Sequence, residues 1–592
     1  MVSATCRRTL LALVLQLVFL QLVANVRCLE GDPADQLIRP RKVEADVGAV
    51  AADHRICSDL GVGLLKKGGH AVDAAVGAAF CQGVVNPGAS GIGGGDFLIL
   101  RLADGTAEAY DMRETAPGLS SEDMYAKNRT GKTLGGLAAG VPGELAGLYM
   151  VWRKYGKLPW KQLVYPTIRL CVNGFAVEPY LANEILTNQA AILADEGLRT
   201  NFAPNGNLLK AGDICYRKQL GKTLAQIAKH GPKVFYRGAV GKRLVADIQA
   251  AGGIMTFDDL QKYKVKVRKP LVADTWGLTV LGMPPPSSGG AGLILILNIL
   301  AAYKNISAIE GDLGVHHIVE AFKHTYAVRM NLADPDFVNV NPVLKDMLSP
   351  AFAATLQKTI SDTTTQPPQF YGGRWNQLED HGTSHISVVD ADRNAVSITA
   401  TINYSFGSKF LSTSTGILVN NEMDDFVTPT DNTTNAFPPA PVNFIRPYKR
   451  PLSTMSPTII LEKGQLRAVL GGSGGIKILT TVAQVLLRHI AGDDPLEAVS
   501  LPRVHHQLEP NWVSYENFTN VRGEHIEVPA KTRESLLQKG HELRSANQAV
   551  CQLIVHDLSK PVSPVHNKHG GVFLGKLTAV SDLRKDGYPA AY

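Results

Sequence analysis

The chain has 592 residues, of which 45% are hydrophobic and 19% charged, and a net charge of +7. This is the composition of a folded globular protein and excludes disordered, collagen-like and fibrous classes. No run of five or six Lys or Arg residues occurs, so a nucleic-acid footprint is also excluded.

In chain order, Arg7 and Arg8 precede an apolar stretch from Leu10 to Val26 that only Gln16, Gln21 and Asn25 interrupt. This is an export signal; residues 1–28 are read as a signal peptide, with a retained signal anchor as the alternative. No second apolar run of spanning length follows, so the body of the protein is expected outside the cytoplasm. Of seven cysteines, Cys6 and Cys28 lie in or beside the signal, which leaves Cys57, Cys81, Cys171, Cys215 and Cys551 in an oxidising compartment. Five is odd, so at least one stays unpaired. Apolar residues at three- and four-residue steps predict helices over 51–67 and 71–83, joined at Gly68-Gly69. Such a hairpin brings its outer ends together, and Cys57–Cys81 is the disulfide expected from it. A strand is predicted at 96–102 and further helices at 144–155 and 180–194. From residue 383 the pattern turns to strands, at 384–389, 395–402, 459–462 and 466–470. Residues 428–450, rich in Pro, Asn and Thr, read as a functional lid. Sequons stand at Asn128, Asn305, Asn403, Asn432 and Asn517.

Three motifs can carry chemistry. Asp380-His381-Gly382-Thr383-Ser384-His385 heads the strand-rich half. A threonine hydroxyl needs a base, and an N-terminal threonine supplies one in its own α-amino group. Thr383 becomes N-terminal if its hydroxyl attacks the Gly382 carbonyl and the ester hydrolyses. The competing reading is a turn into an ordinary strand. Gly471-Gly472-Ser473-Gly474-Gly475 matches the G-x-S-x-G elbow of α/β-hydrolases, with Asp493, Asp494, His505 and His506 downstream as partners; it also reads as an anion-binding glycine turn. Asn420-Asn421-Glu422-Met423-Asp424-Asp425-Phe426 gathers acids able to hold an ammonium group, or merely solvated at a strand end. His316, His317 and His324 lie on a helical pattern without H-E-x-x-H and predict no zinc site.

Taken together these segments resemble the γ-glutamyltransferase family over nearly the whole mature chain. Residues 380–389, Thr401-Ile402-Asn403 with Phe406-Gly407-Ser408, residues 420–426, Arg450-Pro451-Leu452-Ser453, the Gly474-Gly475 turn, Asp111-Met112-Arg113-Glu114 and the Asn86 to Phe97 stretch carry the resemblance. It implies an α+β fold, the four-layer αββα sandwich of N-terminal-nucleophile hydrolases. One precursor would cleave itself between Gly382 and Thr383 into a large subunit, 29–382, and a small subunit, 383–592, which stay associated. Thr383 would be the nucleophile, Thr401 its hydrogen-bonding support, and Gly474 and Gly475 the oxyanion donors. Arg113, Ser453 and Thr454 would hold the glutamyl carboxylate; Asn403, Glu422 and Asp425 would hold its ammonium. Asn403 in that pocket leaves Asn128, Asn305, Asn432 and Asn517 for glycosylation. Implied partners are glutathione and other γ-glutamyl donors, and amino acids, dipeptides or water as acceptors. No metal or organic cofactor is implied. Thr454 stands where many members have a second serine, Tyr404-Ser405 differs from the Leu-Tyr usual in many animal members, and Cys215 lacks the partner of the second disulfide that many animal relatives carry. The rival classes are an esterase using Ser473 and a non-enzymatic secreted relative.

Overall fold

A computed structural model describes residues 41–375, 382–431, 437–561 and 575–592. The export segment, Asp380, His381 and Asn432 therefore lie outside the described residues. Among the described residues, largely buried segments supply the fourteen strands of the two main sheets: β1 (Lys42–Ala45), β2 (Ala49–Ala52), β3 (Gly95–Arg101), β4 (Ala107–Asp111), β5 (Lys266–Arg268), β6 (Leu271–Thr275), β7 (Leu278–Gly282), β8 (Ser384–Val389), β9 (Ala395–Thr401), β10 (Thr458–Glu462), β11 (Gln465–Ser473), β12 (Val550–Pro561), β13 (Gly575–Val580) and β14 (Ala590–Ala591). They build two seven-stranded antiparallel sheets, ordered β1-β13-β12-β11-β10-β7-β6 and β14-β2-β8-β9-β3-β4-β5.

The period-two rule assigns the faces. In the second sheet Val50, Ala52, Leu98 and Leu100 join one core with the helices α1 (Arg55–Lys66), α2 (Ala71–Val85) and α3 (Glu144–Tyr155). Their neighbours Ala49, Ala51, Phe97 and Ile99 point the other way, into a core shared with the first sheet. That core also holds the buried faces of α5 (Gly289–Ala301), α6 (Gly311–Arg329) and α7 (Ile478–Ala491), where Leu295, Leu297, Val319 and Val482 are fully buried. A further helix, α4 (Pro179–Thr187), packs on the first core through Leu181 and Ile185. Helix, sheet, sheet, helix is thus the layer order, the α+β sandwich of N-terminal-nucleophile hydrolases.

Two predicted helices are corrected. The one expected over 51–67 begins only at Arg55, because residues 49–52 pair with β8, Ala52 opposite Ile386. His54 then caps the helix by accepting from the Ile56 amide at 3.2 Å. The helix expected over 180–194 breaks at Asn188, whose side chain donates to the Glu184 carbonyl at 2.8 Å and ends the first segment. Cys57 and Cys81 form a disulfide across the α1–α2 hairpin, with Cα atoms 5.4 Å apart, and Cys171, Cys215 and Cys551 are buried thiols. No helix among the described residues is long and apolar enough to cross a membrane.

Candidate active site

Gly382 and Thr383 lead into β8 beside the end of β9, because the antiparallel register sets Ser384 opposite Ala400. This brings Thr383 Oγ1 to 3.5 Å from Thr401 Oγ1, which accepts from the Asn403 amide at 2.8 Å. The backbone here is in the left-handed region, with φ of 77° at Gly382 and 93° at Thr383. For a β-branched residue that is a strained conformation, costing on the order of 1–3 kcal/mol. Gly382 has a second constraint: a Cβ there would stand 1.5 Å from the Asn403 carbonyl oxygen. The glycine-rich stretch before β3 answers a similar need, since a Cβ on Gly94 would lie 1.9 Å from Thr401 O.

Two residues that sequence reading missed complete the surroundings of Thr383. Lys585 Nζ donates to Thr383 O at 2.9 Å, to Ser473 Oγ at 2.9 Å and to Asp53 Oδ2 at 2.8 Å. Asp53 also accepts from Ser473 Oγ at 2.9 Å and from Gln552 Nε2 at 2.8 Å. Asp53 and Lys585 are 532 positions apart, and only sheet order joins them. Their one sequence signal is a charge beside an apolar strand segment.

The same geometry removes the esterase reading. Ser473 ends β11 in an antiparallel sheet, with Asp53 and Lys585 as partners and no histidine among its recorded hydrogen bonds. His505 bonds Thr480 and Gln507, and His506 accepts from the Leu508 amide. The following turn has positive φ at Gly474 and Gly475, and no acceptor among the described residues takes either amide. Thr454 Oγ1 donates to Gly475 O at 2.9 Å and Ser453 Oγ accepts from the Met455 amide at 3.1 Å, so both hydroxyls are held by this turn and its neighbour.

Sequence reading gave Arg113 to one charge of a ligand and Glu422 and Asp425 to the other. In the structure the Arg113 guanidinium pairs with both carboxylates, all three side chains being 1% exposed. Asn403 Nδ2 donates to Asn421 O at 3.1 Å and Asn420 Nδ2 to Gly93 O and Gly140 O, which anchors the acidic loop. Burial pushes the neighbouring Glu114 carboxyl up to about 8, and the Arg113 charge only partly offsets it. Asp96 is raised well above the ordinary carboxylate range by burial and by the adjacent Glu144 and Glu114. Arg113 thus meets Glu422 and Asp425 directly and Glu114 through its charge, while Asp96 and Glu144 form a second buried acidic pair beside Glu114.

The sequence profile described as Gamma-glutamyltranspeptidase matches residues 57–592. The chain belongs to the γ-glutamyltranspeptidase family. Among relatives, Glutathione hydrolase 3 of Arabidopsis thaliana is 51% identical, covering 93% of this chain and 88% of its own length. Glutathione hydrolase 2 of Arabidopsis thaliana is 53% identical, over 92% and 94%. At the level of fold, cephalosporin acylase from Bacillus halodurans superposes with a TM-score of 0.79 at 23% identity, covering 95% of this chain and 98% of that one.

The other expected positions of this γ-glutamyltranspeptidase fall in different places. Asn128 and Asn305 are exposed, Asn517 is half-buried, and Asn403 is 1% exposed, too enclosed to carry a glycan. Described residues of the 428–450 loop are tied down where Asn443 bonds Asp425 O and the Leu452 amide. His316 and His317 sit on α6 with His324, and His316 and Glu320 meet His541 in a buried cluster. That cluster satisfies itself: His316 Nδ1 and His541 Nε2 are 2.8 Å apart, and Glu320 accepts from Tyr371 and Thr365.

Proposed function

We propose that this protein is a self-cleaving γ-glutamyltransferase that transfers the γ-glutamyl group of glutathione and related donors to amino acids, dipeptides or water. The observation that carries the reading is the strained Gly382–Thr383 junction set against Thr401. Thr383 Oγ attacks the Gly382 carbonyl carbon, the C–N bond breaks, and an ester forms whose hydrolysis releases the Gly382 carboxylate and the Thr383 α-amine. Strain in the peptide raises its ground state and favours this step. The products are 29–382 and 383–592, the export segment having directed the chain outside the cytoplasm.

In the mature site the α-amine takes the Oγ proton while Oγ attacks the γ-carbonyl. The Gly474 and Gly475 amides stabilise the oxyanion. Collapse expels the donor's amine, which carries away the proton, and leaves a γ-glutamyl ester on Thr383. An acceptor amine or water then attacks that ester, the C–Oγ bond breaks, and one proton returns to Oγ. Arg113, with Ser453 and Thr454, takes the donor's α-carboxylate; Glu422, Asp425 and Asn403 take its α-ammonium. The substrate's own charges replace the Arg113 ion pairs, so its binding offsets their separation.

Denaturing electrophoresis and a γ-glutamyl anilide assay test this directly. The wild type should run as two fragments and release the anilide. Thr383→Ala should run as one band without turnover, while Ser473→Ala should still be cut. A Thr383→Ala chain that is cut or active would sink the proposal.

A further inference from the structure

Beyond β9 the chain makes a loop with positive φ at Asn403, Phe406, Gly407 and Lys409, three of them not glycine. Backbone held this way concentrates at ligand clamps. Its first residue belongs to the glutamyl side of the proposed site. Its last, Lys409, enters a separate cluster with Glu184, Asn188 and Ser405, all half-buried and therefore within reach of solvent. Lys409 Nζ donates to Asn188 Oδ1 at 2.7 Å and to the Ser405 carbonyl. Asn188 Nδ2 donates to Ser405 Oγ at 3.1 Å, and Ser405 Oγ donates to Glu184 Oε2.

Two routes tie this cluster to Thr383. A Cβ on Gly382 would lie 3.6 Å from the Tyr404 amide nitrogen, one residue before Ser405. Lys585, which donates to Thr383 O, also lies over the Tyr180 ring with Nζ 5.3 Å from its centroid. Tyr180 and Glu184 are four residues apart on α4 and so share a face of that helix.

The cluster keeps hydrogen-bonding capacity that faces solvent. Lys409 has three N–H groups and two recorded acceptors, and Glu184 Oε1 has no hydrogen-bond partner among the described residues. We propose that Lys409 and Glu184, held by Asn188 and Ser405, form the subsite for the amine partner of the transfer. That partner is first the aminoacyl portion leaving the donor and then the amino acid or dipeptide that replaces it. Its free carboxylate binds the third N–H of Lys409, and in a dipeptide the amide N–H donates to Glu184 Oε1. Burial lowers the Lys409 ammonium to about 8, with Glu184 opposing the shift, so a bound carboxylate supplies the counter-charge that burial makes costly to lack. Ser405, second residue of the Tyr404-Ser405 pair that differs from many animal members, stands in this cluster and makes it a point of acceptor choice.

This inference rests on the γ-glutamyl transfer reading, and the test separates the two. Transfer from a γ-glutamyl anilide is measured with glycylglycine and with glycylglycinamide, alongside hydrolysis without acceptor. The wild type should prefer the free carboxylate by about tenfold in kcat/KM, the value of one charge-assisted pair. In Lys409→Met the preference should fall to within about twofold, through KM for glycylglycine, while self-cleavage and acceptor-free hydrolysis stay near wild type. Glu184→Gln guards against a misfolded lysine variant: it leaves Lys409 in place and should keep a preference at least as large as the wild type's. A wild type that transfers without distinguishing the two acceptors, a Lys409→Met that keeps the preference, or a Glu184→Gln that loses it would each overturn the subsite alone. A wild type with neither hydrolysis nor transfer would overturn the enzyme reading as well.

Discussion

Two constraints act at once on Gly382: its φ of 77° and the Asn403 carbonyl where a Cβ would stand. Gly382→Ala must move the strand-to-loop junction or twist the peptide away from the Thr383 hydroxyl. The expected result is a folded chain with normal circular dichroism that remains uncut on a denaturing gel; efficient cleavage would show that the close approach is dispensable. Glu114 makes a second residue-scale prediction. Its folded-state value of about 8 exceeds the ordinary 4.5, so between these values the folded chain binds more protons than the unfolded one. Stability contributed by this group is therefore lost as pH rises from about 4.5 to about 8. Glu114→Gln removes the titration, and its melting temperature should fall less between pH 5 and pH 8 than the wild type's; parallel declines would refute the assignment. In the sequence Glu114 is legible only as part of the Asp111-Met112-Arg113-Glu114 block, because the burial that raises it comes from elements distant in the chain.

Among the elements, the α1–α2 hairpin shows how local pattern and tertiary pairing divide the work. Its helical periodicity, the glycine junction and the two cysteines are all readable, and the disulfide closes a 24-residue separation. Loop-closure entropy gives such a bridge about 3 kcal/mol. Replacing Cys57 and Cys81 together by serine should lower the unfolding free energy by about that amount in urea titration. An unchanged midpoint would mean that packing alone holds the hairpin. The helix expected from residue 51 starts only at Arg55, because Ala51 and Ala52 fit a helix as readily as a strand in isolation. Pairing with β8 decides the matter, since two buried faces require the alternation that only a strand provides. Similarly, the break at Asn188 depends on one side chain capping a helix, and that side chain then serves the Ser405–Lys409 cluster.

For the whole molecule, the proposed cut leaves both sheets made of both fragments. β8 pairs with β2, and β9 pairs with β3 over seven residues from Ala395–Arg101 to Thr401–Gly95. In the other sheet β10 pairs with β7 and β13 with β1. Separating the fragments would break these four strand pairings and that of β14 with β2, and would open two cores at once. The cut protein should therefore elute as one species under native conditions and unfold in one calorimetric transition; resolution into two folded fragments would contradict this. What the sequence determined by itself is what short range controls: which segments are helices or strands, where glycine is demanded, and which motifs offer a hydroxyl, glycine-turn amides and charges. Tertiary structure alone decided who meets whom, bringing Lys585 and Asp53 to Thr383, closing Arg113 onto Glu422 and Asp425, and setting Lys409 beside Glu184. Periodicity and turn chemistry act over a few residues, whereas these partnerships span hundreds and exist only once the order of strands in two sheets has been set.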